Sequence, residues 1–472
     1  MKIVGRKSEQ EELRRHFDSG RPEFLAVTGR RRVGKTFLVK EMFKDDLTFY
    51  FSGAIGKGVT NAYQLRQFDK AIESCGGVPG LPSKDWADAF RKLKELLKKP
   101  KGQRQVLFID ELPWLDLPKS DFLSAVDNFW NTFASSRPDL MLVVCGSAAS
   151  WIAKNIFHSK GGLHNRITGR VFLAPFSLGE CEALFEEHGV VMNRYQIAES
   201  YMVFGGIPYY LGMFDKKFGP TQNVDRLLFA AHAPLKDEFY EVFRSLFATP
   251  DRHIRIVEAL AKNQKGLTRE EIIETTGIPG GGNLTTSLDE LVQCDFIEKF
   301  SDFTKPKNDA QYRLVDPFIL FWLRYVRNNE TKDDYYWTNL IDDGRRRAWS
   351  GHAFELLCLR HVAQIKQTLG IWGVSTQVYA WRSRQSHPAA QIDLLINRKD
   401  GVTNLCEMKF SLHPYEISKT EAQKLEQRKM AFIVESKTTN AVHITMVTTY
   451  GLAEKGYRSL AQSEVTLDDL FR

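Results

Sequence analysis

Residues 29–36 have the types and order of a phosphate cradle: Gly29, Arg30, Arg31, Arg32, Val33, Gly34, Lys35 and Thr36. Gly29 and Gly34 permit backbone angles that a Cβ disfavours, so successive N–H groups can point at an anion above a helix N-terminus. In that arrangement Lys35 reaches the β- and γ-phosphates of a nucleoside triphosphate such as ATP, and the Thr36 hydroxyl ligates Mg²⁺. An apolar strand pattern precedes these residues and a helical pattern follows them over 24–43, which is the context the chemistry requires.

Hydrolysis needs a second, acidic element. The all-apolar run at 105–109 (QVLFI) reads as a buried strand of a parallel sheet and delivers Asp110 and Glu111 at its C-terminal end. Asp110 is placed to hold the magnesium, and Glu111 to orient and deprotonate the attacking water. The plain alternative is a strand ending in two solvated acids. A strand at 47–52 and helical patterns at 62–75 and 86–97 separate the two elements, which marks the additional-strand class of these folds. A further strand at 140–145 ends in Gly146 and Ser147, where Ser147 either senses the γ-phosphate or caps the following helix. Arg166 and Arg170 precede a strand at 171–174. Either one reaches a phosphate bound by a neighbouring subunit, which requires a homo-oligomer, or it is a surface arginine paired to a carboxylate.

The segments VGRKSEQEEL, GRRRVGKT, LFIDEL, CGSAASWI, LHNR, LAPFSLGE and FGGIPYYL, in that order, resemble the bacterial and archaeal AAA+-like ATPases of the archaeal ATPase family, close to the signal-transducing STAND-type NTPases. The resemblance covers roughly the first half of the chain and implies an ATP- and Mg²⁺-dependent ATPase. It also implies that Gly5 and Arg6 lie near the adenine, and that Pro208 belongs to a helical lid closing on the nucleotide.

Downstream, a helical pattern at 253–262 is followed by Thr268 as an N-cap with Glu271 in the capping-box position. A glycine-rich turn, a third helix at 283–294 and strand patterns at 296–300 and 310–314 follow. That order predicts a winged helix-turn-helix. A DNA-reading version would use Thr285 and Thr286 in a groove, with Lys305 and Lys307 of the wing on phosphates. The exposed positions of the third helix include Asp289 and Glu290 and no arginine, a pattern equally suited to a protein-interaction spacer.

A second chemical constellation lies near the C-terminus. An amphipathic helix at 351–362 carries Glu355, a strand at 391–396 carries Asp393, and an antiparallel return strand at 404–410 carries Glu407 and Lys409. Residues i and i+2 share a strand face, so Glu407 and Lys409 project together and hairpin pairing brings Asp393 alongside. Two carboxylates and an ammonium could hold a second divalent metal and a water for phosphodiester cleavage; the alternative is a surface hairpin with an ordinary ion pair. The pattern resembles the PD-(D/E)XK nuclease superfamily, in which Glu355, Asp393, Glu407 and Lys409 match functional positions and Gln423 matches a polar residue some members add.

At 472 residues the chain is too long for one core. The reading is an α/β multidomain protein: a P-loop ATPase core at 1–175, a helical lid at 176–235, a winged helix with a connecting helix at 236–330, and a restriction-endonuclease-like domain at 331–472. A net charge of +7 permits nucleic acid as a partner without demanding it, DNA before RNA. The start of the chain has no signal-peptide core and no apolar run is long enough to span a bilayer, so a cytoplasmic location without membrane contact is expected. The cysteines are scattered without a C-x-x-C pair and read as reduced, mostly buried thiols. The leading expectation is a Mg²⁺-dependent ATPase acting on a DNA-directed nuclease-like domain. The alternative is a STAND-like switch or transcription regulator whose nuclease-like domain is silent.

Overall fold

The computed structural model describes the chain except for residues 1, 55, 57, 99–103, 147–148, 158–161, 304–309 and 384–389. It divides into two compact units, Met1–Pro175 and Phe176–Arg472.

The first unit is built on five parallel strands: β1 (Glu23–Gly29), β2 (Leu47–Ser52), β3 (Gln105–Asp110), β4 (Leu140–Cys145) and β5 (Gly169–Leu173), in the order β2-β3-β4-β1-β5. Every residue of β1, β3 and β4 is buried, because helices cover both faces of the sheet. β4 lies between β1 and β3, so the phosphate-cradle strand and the acidic strand are separated by one strand, as the additional-strand class requires. On one face Phe68, Trp86, Phe90 and Phe122 of the helices Asn61–Ser74, Trp86–Leu97 and Phe122–Thr132 interlock, with the Trp86 and Phe122 ring centroids 4.7 Å apart edge-on. This aromatic layer fixes the sheet edge on which the functional residues sit.

The second unit begins with the helices Leu178–Glu187, Arg194–Phe204 and Pro208–Leu211. Gly206 has φ 66°, and a Cβ there would lie 2.3 Å from the Phe176 carbonyl oxygen; the Gly206 carbonyl in turn accepts from the Phe176 N–H at 2.7 Å. Next come the helix Pro250–Lys262, β6 (Leu267–Thr268), the helices Arg269–Thr276 and Gly282–Gln293, and an antiparallel pair, β7 (Ile297–Phe300) and β8 (Gln311–Leu314), in a sheet ordered β6-β8-β7. Thr268 and Glu271 form the anticipated capping box.

After a buried aromatic helical run from Pro317 the chain enters the helix Gly344–Arg360, which starts seven residues before the predicted helix. A third sheet, of mixed direction, follows: β9 (Thr376–Arg382), β10 (Gln391–Arg398) and β11 (Val402–Lys409) form an antiparallel meander. The helix Lys419–Ser436 then leads to β12 (Ala441–Thr448), parallel to β11, and β13 (Ser463–Thr466), parallel to β12.

Candidate functional site

At the end of β1, Gly29 passes so close to β5 that a Cβ would lie 2.3 Å from the Leu173 carbonyl oxygen. Arg32 (φ 74°) and Gly34 (φ 91°) then turn left-handed, folding the loop back onto the first turn of the helix Lys35–Met42. The Lys35 ammonium is buried and donates to the Gly29 and Arg30 carbonyls at 2.8 and 2.9 Å, so its charge is held over the mouth of the loop. Arg6, with φ 57°, donates to the Val33 carbonyl at 3.1 Å, and Gln10 donates to the Gly5 carbonyl at 2.7 Å. The N-terminal turn containing Gly5 and Arg6 is thereby tied to the loop.

Thr36, on the helix after the loop, donates to Asp110 Oδ2 at 2.6 Å. The other Asp110 oxygen accepts from the Glu111 N–H at 2.8 Å and from the Cys145 thiol on β4. Asp110 is buried, and these donors fix its orientation. Burial, followed by the Asp110 charge, pushes the Cys145 thiol well up, so it stays protonated and donates. The same two causes raise Tyr50 on β2 to about 12, and the Lys40 ammonium lies 3.5 Å above its ring centroid. Glu111 has left-handed angles (φ 50°, ψ 44°), which turn it off the strand axis as the chain leaves β3. These groups fit ATP and Mg²⁺: a lysine poised at a backbone nest, beside a hydroxyl and a carboxylate already within one hydrogen bond. Cys145 and Tyr50 escaped the sequence reading because they sit in strands whose apolar pattern signals only burial.

Arg166 is exposed, just after the short helical turn Gly162–Asn165, and makes no ion pair among the described residues. Arg170 is committed elsewhere, its guanidinium 4.0 Å from the Phe157 ring centroid. Ser147, Lys305 and Lys307 lie outside the described residues. Pro208 opens the helix Pro208–Leu211 in the second unit.

On the helix Gly282–Gln293, Thr285, Thr286 and Asp289 are exposed, whereas Glu290 accepts from or pairs with His253 Nε2 at 2.7 Å and is only part-exposed. Its predicted exposure is therefore corrected: the helix Pro250–Lys262 packs against it and supplies a partner.

In the C-terminal sheet Glu407 and Lys409 do project together, with Lys409 Nζ 2.9 Å from Glu407 Oε1. Two further groups join them from the helix Lys419–Ser436: Glu421 pairs with Lys409 at 3.0 Å, and Arg428 pairs with Glu407 Oε2 at 2.6 Å. Burial disfavours the Lys409 charge, but Glu407 and Glu421 outweigh it and raise the ammonium above its ordinary value. Gln423 lies on the exposed side of that helix.

Asp393 falls at an irregularity of the β9–β10 ladder between Ile392 and Leu395. Those two residues, three apart, belong to one buried apolar cluster with Leu405 and Phe432, so the strict alternation used for the hairpin breaks at Asp393. Its carboxylate accepts from Gln391 Nε2 at 2.7 Å. Glu355 pairs with His352 at 3.6 Å, on a helix that meets the end of β11 through Phe354 and Phe410. Among the described residues no group of three His, Cys, Asp or Glu side chains could hold a metal ion. As arranged, these residues do not fit a shared divalent cation.

Residues 3–214, somewhat less than half of the chain, match a family described as an ATPase domain predominantly from Archaea. An uncharacterized protein of Methanocaldococcus jannaschii is 25% identical over 329 residues, which is 69% of this chain and 69% of that protein. Among solved structures, the Walker-type ATPase paby2304 of Pyrococcus abyssi is similar with a TM-score of 0.50 at 20% identity, covering 68% of this chain and 96% of that one. The ORC2 protein of Aeropyrum pernix aligns with a TM-score of 0.40 at 14% identity, covering 68% and 93%.

Proposed function

We infer that the N-terminal part of the chain is an ATPase domain, a reading supported by its family match and by its parallel-sheet core. We propose that the protein is a Mg²⁺-dependent ATPase in which Lys35 binds the β- and γ-phosphates, Thr36 and Asp110 hold the magnesium, and Glu111 orients and deprotonates water. The observation that carries this reading is the 2.6 Å bond from Thr36 to Asp110, which joins the two elements. Bound Mg²⁺ supplies charge neutralisation on the phosphates. Gly5 and Arg6 stand at the base side of the loop, Ser147 senses the γ-phosphate, and the lid containing Pro208 closes on the nucleotide. Arg166 acts on a neighbouring copy, which makes the working form a homo-oligomer. No described helix is long and apolar enough to cross a membrane, and a cytoplasmic location is part of the proposal.

The ATPase cycle acts on a nucleic-acid-directed second unit, DNA being the favoured ligand. The order helix, strand, helix, helix, strand pair over 250–314, with exposed Thr285 and Thr286, supports the winged-helix reading. The order helix, antiparallel meander, helix, parallel strand over 344–448 supports the nuclease-like one. Because Asp393, Glu407 and Glu355 each hold separate partners, the form favoured here is a regulator whose nuclease-like domain binds without cutting. Phosphate release by the purified chain with Mg²⁺ tests the proposal, with duplex DNA, single-stranded DNA and RNA added in turn. Turnover that depends on Lys35 and changes with nucleic acid supports it; turnover indifferent to Lys35→Ala sinks it.

A further inference from the structure

The set around Glu407 is balanced by protein charges alone. Glu407 offers one carboxylate oxygen to Lys409 and the other to Arg428, while Lys409 is shared with Glu421. Two carboxylates face two cations. Glu421 and Arg428 are seven residues apart on the helix Lys419–Ser436, two turns along one face, so the helix brings both to β11 at once. Side-chain exposures of 14% for Glu407 and 30% for Arg428 place the pair at the partly dried margin of the sheet, where screening is weaker than in open water.

We propose that Arg428 is the resident counter-ion of this site: its guanidinium occupies the Glu407 oxygen that a divalent cation would need, and a cation binds only after Arg428 leaves. The inference rests on the nuclease-like reading of the C-terminal sheet. A cation such as Mg²⁺ or Mn²⁺ needs oxygen lone pairs at about 2 Å. A guanidinium nitrogen at 2.6 Å takes the same lone pair and leaves no room for both. Lys409, itself bridged to Glu421 at 3.0 Å, holds the other oxygen at 2.9 Å. The site is thereby closed to metal by a group on the neighbouring helix, and movement of that helix, or capture of Arg428 by an anion such as a nucleic-acid phosphate, would open it.

The test is titration of the full-length, nucleotide-free chain with Mn²⁺, followed by calorimetry and by thermal unfolding. The wild-type chain is expected to have no Mn²⁺ site that Glu407→Gln removes. Arg428→Ala gains one site at least tenfold tighter than anything in the wild type, with a matching rise in unfolding temperature, and Arg428→Ala/Glu407→Gln loses it. Arg428→Gln, which keeps the packing of the stem, repeats the gain and guards against a misfolded alanine variant; Arg428→Lys stays closed. A Glu407-dependent site of equal affinity in the wild type, or no gain in Arg428→Ala and Arg428→Gln, overturns the proposal. Adding Asp393→Ala to Arg428→Ala separates the two ideas. Loss of the gained site supports both, whereas retention leaves the counter-ion standing and overturns the two-carboxylate nuclease-like site.

Discussion

The Thr36 hydroxyl donates to Asp110 Oδ2 across 2.6 Å, joining residues 74 positions apart in the chain. A helix start and a strand end are held in register by one charge-assisted hydrogen bond, so the pair proposed to hold the magnesium is preorganised. Thr36→Ala should lower Mg²⁺-dependent turnover by about 10- to 100-fold, while Thr36→Ser keeps most of it. Steady-state rates against Mg²⁺ concentration decide this, and an alanine variant with an unchanged Mg²⁺ dependence would contradict it.

Arg166 is exposed and makes no ion pair among the described residues, as an arginine serving a neighbouring copy must be. Arg166→Ala should bind ATP normally and lose about 10³-fold or more in turnover. Mixing it with Lys35→Ala subunits should recover some activity. Turnover by a strictly monomeric chain at the wild-type rate would rule the arrangement out.

His361 is a second-unit acid sensor of stability. Its Nδ1–H donates to the Leu357 carbonyl at 2.8 Å and its Nε2 accepts from the Leu178 N–H at 3.0 Å, so the ring is held neutral. Burial lowers its pKa from 6.5 to about 4. The unfolded chain therefore takes up a proton first as pH falls. Stability is present in full above 6.5 and drains away between there and about 4, by about 3 kcal/mol. Urea unfolding at pH 7 and pH 4.5 should show a smaller acid loss for His361→Gln than for the wild type. Equal losses would assign the acid sensitivity to other groups.

Thiol chemistry gives a simple count. Cys75 is part-exposed and the other five cysteines are buried. Burial raises Cys406 to about 12, and burial with neighbouring carboxylates pushes Cys145 and Cys358 well up. A disulfide reagent at pH 8 should titrate one thiol in the native chain and all six after denaturation. Rapid native reaction of Cys145 would show that β4 opens readily.

The parts of this architecture that were legible in sequence are those written over short stretches. The loop from Gly29 to Thr36 and the run into Asp110 and Glu111 each carry their own strand or helix context within a few residues, and the structure brings them together at the edge of one sheet. The Thr268 and Glu271 capping box was equally local. What went unread depends on distant partners. β9 is mostly exposed or half-exposed and lacks clean alternation, and β12 and β13 follow a helix that hides their place in the sheet. The run QIDLLI looks regular in sequence, yet the β9–β10 ladder slips by one residue between Ile392 and Leu395, which only the pairing with β9 reveals. Arg428 offered no signal beyond its seven-residue spacing from Glu421, since only the fold sets that helix against Glu407.

The central claim is that Lys35 binds the nucleotide whereas Glu111 serves only the attack of water. Parallel measurements of ATP affinity and phosphate release on Lys35→Ala and Glu111→Gln test it most directly. Lys35→Ala should lose binding and turnover together. Glu111→Gln should bind ATP as the wild type does and release phosphate at least about 10²-fold more slowly, because only the base for the attacking water has been removed. Undiminished phosphate release by Glu111→Gln, or unaltered ATP binding and turnover by Lys35→Ala, would contradict the account.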